Sequence, residues 1–233
     1  MKKPYIFIAV PAYNGVLPIT AGTLINTTKH LNNMSINARV VFKNGCPNAD
    51  LARAELTTDF LNSDCTHLLF IDADMGFGGD LAYRMLKTGY DVVAVVYRSR
   101  HAKCDPIVWM PEPLTIFEGK NKEPLVKLYH TGLGCTMISR KAIEETGKHF
   151  PELKYTSSIS KKEGYALYIP IVGGWDVEGG GYFGDDFSFF RRLREAGFHA
   201  AALIDAPIKH ERFEFNLKDL IKELSKQEII TNK

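Results

Sequence analysis

His67-Leu68-Leu69-Phe70-Ile71-Asp72-Ala73-Asp74 is a short apolar run that ends on two carboxylates one residue apart. An apolar run without polar alternation predicts a strand covered on both faces, as in a parallel sheet between two helical layers. The segments before it repeat the theme. Ile6–Val10 is apolar throughout and is stopped by Pro11, and Ala38–Phe42 reads as a second strand stopped by Asn44-Gly45. Between these strands, residues 18–33 carry a helical pattern. Asn48 is placed to cap a helix running to about Asn62, with Leu51, Leu56, Phe60 and Leu61 on its apolar side. After the carboxylates, Leu81–Lys87 reads as a short helix ahead of Gly89, and Asp91–Tyr97 as a fourth strand. Strands alternating with helices predict a three-layer α/β/α, Rossmann-like domain with a mostly parallel central sheet.

The second half changes rhythm. Residues 107–130 hold short β-like pieces broken by Pro111, Pro113, Gly119 and Pro124, which predicts a small inserted β-ribbon. Thr136–Ser139 reads as a strand feeding a helix over Arg140–Thr146, and residues 157–164 read as a polar, mobile loop. Six glycines in the twelve residues from Gly173 to Gly184 exclude a regular element there. Phe187–Ala196 predicts a helix, Ala200–Ile204 a last strand, and Leu217, Leu220, Ile221 and Leu224 a terminal amphipathic helix capped by Asn216.

Composition narrows the function classes. Lys plus Arg number 29 and Asp plus Glu 27, a net charge of +2, so no overall positive field favours nucleic acid or an anionic membrane. With 45% hydrophobic and 24% charged residues the chain has a globular composition. Cys46, Cys65, Cys104 and Cys135 lie far apart, which excludes a dense disulfide scaffold and a short-spaced zinc site. No apolar run reaches the ~18 residues of a membrane span, and the apolar run at residues 6–10 is too short for a signal peptide. The expectation is a soluble, cytoplasmic protein of one domain over residues 1–233, its oligomeric state open.

In open α/β sheets ligands bind beyond the carboxyl ends of the strands, where Asp72 and Asp74 stand. Such a pair can hold a hard divalent cation through oxygen, and the cation can hold a diphosphate. The plainer reading of the pair is a solvated turn or a helix cap. Asp185-Asp186 is equally readable as carboxylates at a helix N-terminus, His210 as a partly buried imidazole, and Arg53 as a surface ion-pair residue. A basic cluster, Arg98, Arg100, His101 and Lys103, and a stripe of Lys218, Lys222 and Lys226 read first as solvated charge.

Taken in order, these segments resemble the GT-A glycosyltransferases. The resemblance runs through Ala9-Val10-Pro11-Ala12-Tyr13-Asn14, Leu51-Ala52-Arg53-Ala54, Phe70-Ile71-Asp72-Ala73-Asp74, Gly132–Arg140, Gly184-Asp185-Asp186 with the helix after it, and His210. It is nearest to the short single-domain transferases of phages and large algal viruses. It implies a sugar moved from a nucleotide-diphosphate sugar, a UDP-sugar favoured, to the hydroxyl of a glycan or other acceptor. Residues 1–100 would form the donor half, 101–212 the acceptor half and 213–233 a terminal helix. The donor contacts implied are Pro11, Ala12, Tyr13, Asn14, Asn44, Arg53, Asp72 and Ala73. The Mn²⁺ or Mg²⁺ ligands implied are Asp72, Asp74 and His210. Asp186 would be the general base of an inverting transfer, kept ionised at neutral pH by the bound cation nearby, with Asp185 beside it contacting the acceptor. Trp175 and Tyr182, in the glycine-rich stretch, offer apolar faces for a sugar ring. Two departures stand out. Asp185 replaces the usual Glu, and Asn44-Gly45-Cys46-Pro47 replaces the acidic turn that commonly reads base and ribose. The rival readings are a haloacid-dehalogenase-like phosphatase and an inactive nucleotide- or sugar-binding protein of the same fold.

Overall fold

The computed structural model describes residues 3–99, 106–173, 181–211 and 213–231, with side chains to residue 224. β1 (Tyr5–Ala12), α1 (Pro18–Asn33), β2 (Asn37–Asn44), α2 (Ala49–Leu61) and β3 (His67–Ile71) follow the expected strand–helix rhythm. Next come β4 (Met75–Phe77), α3 (Leu81–Lys87), β5 (Val92–Ala94), β6 (Ile116–Glu118), β7 (Pro124–Leu128), β8 (Cys135–Ser139) and α4 (Arg140–His149). α5 (Asp185–Glu195), β9 (Ala200–Leu203), β10 (Ile208–His210), β11 (Phe213–Phe215) and α6 (Leu217–Thr231) complete the described elements.

Eight strands form the central sheet in the order β2-β1-β3-β8-β5-β9-β7-β6. Six run one way, and β8 and β7 oppose them. The sheet is therefore mostly parallel in direction, as expected, with β8 wedged antiparallel between β3 and β5. Side chains alternate between two cores. Phe7 and Ala9 of β1 join Leu56 and Phe60 of α2, Ile143 of α4 and Phe189 of α5 on one face. Ile6, Ile8 and Val10 join Leu24 and Leu31 of α1 and Met85 of α3 on the other. That completes three layers, and each fully buried side chain of this kind contributes roughly 1.5–3 kcal/mol.

The structure corrects several local expectations. The ribbon in 107–130 divides: Val108–Trp109 pairs with His130–Thr131, whereas β6 and β7 form a hairpin that extends the main sheet beside β9. Residues 157–164 belong to a hairpin, with Lys154–Thr156 paired to Glu163–Tyr165. It is tied to α2 where the Ser157 hydroxyl donates to Glu55 Oε2 at 2.7 Å. Leu51 is exposed, and the buried face of α2 is shifted to Ala52, Arg53, Leu56 and Phe60. A polar residue is thus drawn inward, for a reason the site explains. Unforeseen in the sequence is a second small sheet, β11-β10-β4, whose register sets His210 opposite Met75. No described helix is long and apolar enough to cross a membrane.

Candidate functional site

β3 ends at Ile71, and the chain turns sharply through Asp72-Ala73-Asp74 before β4 begins. Every backbone carbonyl of the turn is engaged. Asp72 O accepts from Met75 N at 3.2 Å and Asp74 O from Glu211 N at 2.8 Å. Ala73 O accepts from Leu17 N at 2.8 Å and from the Thr20 hydroxyl at 2.8 Å. Asp72 N donates to Gly134 O at 3.0 Å. So many partners leave the turn one conformation and fix where its two carboxylates begin. Glu211 has φ +56°, the left-handed region that non-glycine residues rarely occupy. It adopts it where its N–H meets the carbonyl of Asp74.

The two carboxylates take different partners. Asp72 lies on Arg53, with Nη2 3.1 Å from Oδ1 and 3.4 Å from Oδ2. Asp74 is 5% exposed and places Oδ2 3.2 Å from His210 Nε2. His210 Nδ1 lies 2.7 Å from the carbonyl oxygen of Arg98. Since a carbonyl only accepts, Nδ1 carries the proton of that bond and Nε2 is the nitrogen turned to Asp74. An imidazole locked through a backbone carbonyl is the arrangement of a metal-ligating histidine, and also of an imidazolium paired with a carboxylate. Tyr97 packs its ring edge-on against His210, 5.2 Å between centroids. Of the three metal candidates, then, Asp74 and His210 are brought together and Asp72 is drawn aside. Among the described residues no three His, Cys, Asp or Glu side chains converge as a ligand set. Asp74 and His210 offer one carboxylate oxygen and one imidazole nitrogen, a donor pair that suits a hard or borderline cation.

Arg53 is the hub. Its buried guanidinium reaches Asp185 Oδ2 through Nε at 3.2 Å, Asp72 through Nη2, and Asp186 Oδ1 from Nη2 at 3.6 Å. The ring of Phe70 lies beneath it, 5.2 Å from its carbon to the ring centroid. Burial works against its charge, but Asp72, Asp186 and Asp185 outweigh that and hold its pKa above the ordinary value. This is why α2 turns an arginine inward. The surface ion-pair reading of Arg53 is thereby replaced.

Asp185 and Asp186 open α5 in its first turn. Asp186 Oδ1 is buried and makes no hydrogen bond among the described residues, while the side chain as a whole keeps 24% exposure. The backbone N–H of Leu133 faces the carboxylate and favours its charged form. Burial pushes its pKa up to about 7; Arg53 opposes that rise, and Asp185 and Asp72 add to it. Leu133 is held by its neighbours: Gly134 N donates to the Tyr97 hydroxyl at 2.9 Å. A Cβ on Gly134 would stand 2.6–2.8 Å from Met75 Cε, the Tyr97 hydroxyl and Asp72 Oδ2, so only glycine fits. Tyr97 was missed by sequence reasoning because an aromatic at a strand end carries no distinctive signal.

A cavity of about 450 Å³ opens beyond β1 and β3. Of the expected donor residues, Pro11, Tyr13, Asn14, Arg53, Asp72 and Ala73 line it, together with Asp74. Cys46, Pro47 and Glu211 line it too. Ala12 and Asn44 are not on this wall: Ala12 is buried, and Asn44 lies opposite it at the exposed end of β2. Asp185 and Asp186 pair with Arg53 and do not line the cavity. Tyr182 is exposed on a two-residue strand paired with Ile171–Val172. Trp175 lies outside the described residues, as do Arg100, His101 and Lys103 of the basic cluster. Lys218 is paired with Asp205 at 2.7 Å.

No family model matches the chain, and no curated protein matches it at a significant level. Among solved structures it is similar to the catalytic domain of Drosophila beta1,4-galactosyltransferase 7 in complex with xylobiose, at 13% identity and a TM-score of 0.46 over 86% of this chain and 65% of that one. It is also similar to residues 1–349 of S. aureus TarS in complex with UDP-GlcNAc, at 12% identity and a TM-score of 0.45 over 86% of this chain and 56% of that one. The TarS complex with UDP gives 11% identity, a TM-score of 0.44 and coverages of 85% and 57%. The chain thus spans 56–65% of the length of these structures.

Proposed function

We propose that this chain is a cation-dependent glycosyltransferase of the GT-A type. It moves a hexosyl group from a nucleotide-diphosphate sugar, a UDP-sugar favoured, to an acceptor hydroxyl with inversion. One juxtaposition carries the reading: a cavity of about 450 Å³ with Asp72 and Asp74 on its wall, and Asp186 one guanidinium away. That volume lies within the usual range for small-molecule sites.

The charge of the wall supports a cation. Asp72, Asp74 and Glu211 face the cavity against Arg53, and Arg53 is already shared among three carboxylates. An anionic diphosphate entering alone would meet net repulsion. When bound, Mn²⁺ or Mg²⁺ supplies the charge that lets the diphosphate enter and later depart. Asp74 and His210 are the residues that would hold it, with Asp72 at its flank. Tyr13 and Pro47 present faces to a nucleobase, and Asn14 a polar edge. Asp186, faced by the Leu133 N–H and held beside Arg53, takes the proton of the attacking hydroxyl. A base distinct from the leaving-group side implies inversion. No observation favours the phosphatase: its nucleophile would be Asp72, both of whose oxygens lie within 3.4 Å of Arg53 Nη2.

The test is a screen of nucleotide sugars for nucleoside diphosphate release with Mn²⁺ present, then after chelation. Release is expected to fall to background with EDTA and to return with added Mn²⁺. His210→Ala should raise the Mn²⁺ concentration needed for half activity by at least about tenfold, in line with the loss of a supporting metal contact. Chelator-insensitive release would remove the cation from the mechanism. The pH profile offers a second check. Asp186 must be deprotonated to act, and burial sets its pKa at about 7. In the free enzyme kcat/KM should therefore climb with pH through about 7 and level off above it. A profile flat from pH 5.5 to 8.5 would remove Asp186 from the role.

A further inference from the structure

Two chain segments converge on Asp186: the first turn of α5, which contains it, and the Gly132–Gly134 loop, whose Leu133 N–H faces it. Each segment also carries an aromatic ring. Phe187 follows Asp186 directly, and His130 lies three residues before Leu133. These two rings stack, 3.8 Å between centroids and 28° between planes. Trp109, paired with His130 across the small ribbon, sets its indole against the imidazole at 5.2 Å and against Tyr129 at 5.3 Å. The row thus passes from the residue beside the base, through Phe187 and His130, to an indole that is 44% exposed. Its backbone is fixed at both ends. Arg194 donates to Tyr129 O and lays its guanidinium over the Tyr129 ring, and Tyr129 N donates to Trp109 O at 2.8 Å. Burial pushes His130 down to about 4, so its ring is a neutral plate at physiological pH.

Packing alone does not require this arrangement. An indole packed for the core alone would bury its ring; this one rests on His130 and Tyr129 and stays 44% exposed. A flat, rigid aromatic with an open side, stacked through His130 on the residue that follows the base in α5, suits a partner that has an apolar C–H face and hydroxyl edges. We infer that Trp109, with His130 and Phe187 behind it, forms an acceptor subsite that takes a pyranose ring, so that the acceptor is a saccharide whose free hydroxyl points to Asp186. This rests on the transferase reading above and adds to it the chemical class of the acceptor. A lipid alcohol or a peptide hydroxyl would gain no comparable face-to-face contact.

The chain has two tryptophans, Trp109 and Trp175, so Trp175→Phe leaves Trp109 as the sole indole reporter. In that background, cellobiose, lactose and maltose are titrated without donor while indole fluorescence is followed. Saturable quenching by at least one disaccharide is expected, and with no other indole in that background the signal comes from Trp109. Transfer to the best saccharide is then measured in the full chain. Trp109→Ala should raise the saccharide KM about tenfold, the size of one lost ring contact, with the donor KM within about twofold. Trp109→Phe should recover most of that loss. Saccharide quenching without any nucleotide-sugar turnover would uphold the subsite and defeat the transferase reading. Turnover with a saccharide KM indifferent to Trp109→Ala, or transfer to a lipid or peptide hydroxyl in preference to every saccharide, would overturn the subsite and leave the transferase reading standing. No quenching by any of the three sugars, with no saccharide serving as acceptor, would overturn it as well.

Discussion

Asp186→Asn is expected to lower the transfer kcat by about 10²–10⁴-fold, the span of general-base catalysis, with donor affinity within about threefold of wild type. The separation follows from geometry. Asp186 pairs with Arg53 and does not line the cavity proposed for the donor, so the substitution removes no group from its wall. It keeps an oxygen for the Leu133 N–H and nearly the same volume. The fold should benefit. Burial holds the Asp186 pKa at about 7 in the folded protein, above the ordinary 3.8. A raised carboxyl pKa gives stability that is complete below the unfolded value and is lost as pH rises towards the folded one. At pH 8 that contribution is gone, and the neutral amide avoids the buried charge. The variant should therefore melt at or above the wild-type temperature at pH 8 while being nearly inactive. Such a pairing of higher stability with lost activity marks a strained catalytic group. Wild-type turnover by Asp186→Asn in the presence of saturating acceptor would remove it from the mechanism.

Arg53→Met is expected to cost about 3–5 kcal/mol of stability, the size seen when one partner of a buried ion cluster is removed. For a chain of this length that is a fall in melting temperature on the order of 10 °C. The side chain is 5% exposed and is the cation shared by Asp72, Asp185 and Asp186. Its removal leaves three carboxylates facing one another. The deficit should grow with pH. Arg53 is what holds the Asp186 pKa down against burial, so without it the folded variant keeps that proton to higher pH than wild type does. A folded state that binds more protons than the unfolded one loses stability as pH rises, and the loss is steeper in the variant. Thermal unfolding at pH 6 and pH 8 measures this directly. A gap between wild type and variant that is equal at both pH values would mean that the carboxylates are not coupled through Arg53.

Much of the fold was legible because buried parallel strands write themselves as unbroken apolar runs. β3 matches its expected limits, as do α1 and α3. Strands of three residues carry no such period, so β4, β10 and β11 were invisible, and it is they that bring His210 opposite Met75 and hence beside Asp74. The residues of the site were legible as types at strand ends. Their pairing was not. Asp72 and Asp74 look equivalent in sequence, yet one belongs to Arg53 and the other to His210, because the turn between them sends their side chains to different neighbours. Arg53 shows the same limit from the other side. Its place on α2 was plain, but its burial could be seen only once Asp185 and Asp186 arrived from more than 130 residues away. The row of Trp109, His130 and Phe187 depends on a ribbon pairing, Trp109 with His130, that short β pieces between prolines do not announce.

The central claim is that one carboxylate-walled cavity accepts a nucleoside diphosphate only together with a divalent cation. Calorimetric titration of UDP into the protein, first in EDTA and then in millimolar Mn²⁺, tests it without any knowledge of sugar or acceptor. The expected result is no measurable heat of binding in EDTA, saturable binding with Mn²⁺, and loss of that binding in Asp74→Asn. Equal affinity for UDP with and without the cation, or saturable Mn²⁺-dependent binding that survives Asp74→Asn unchanged, would contradict it.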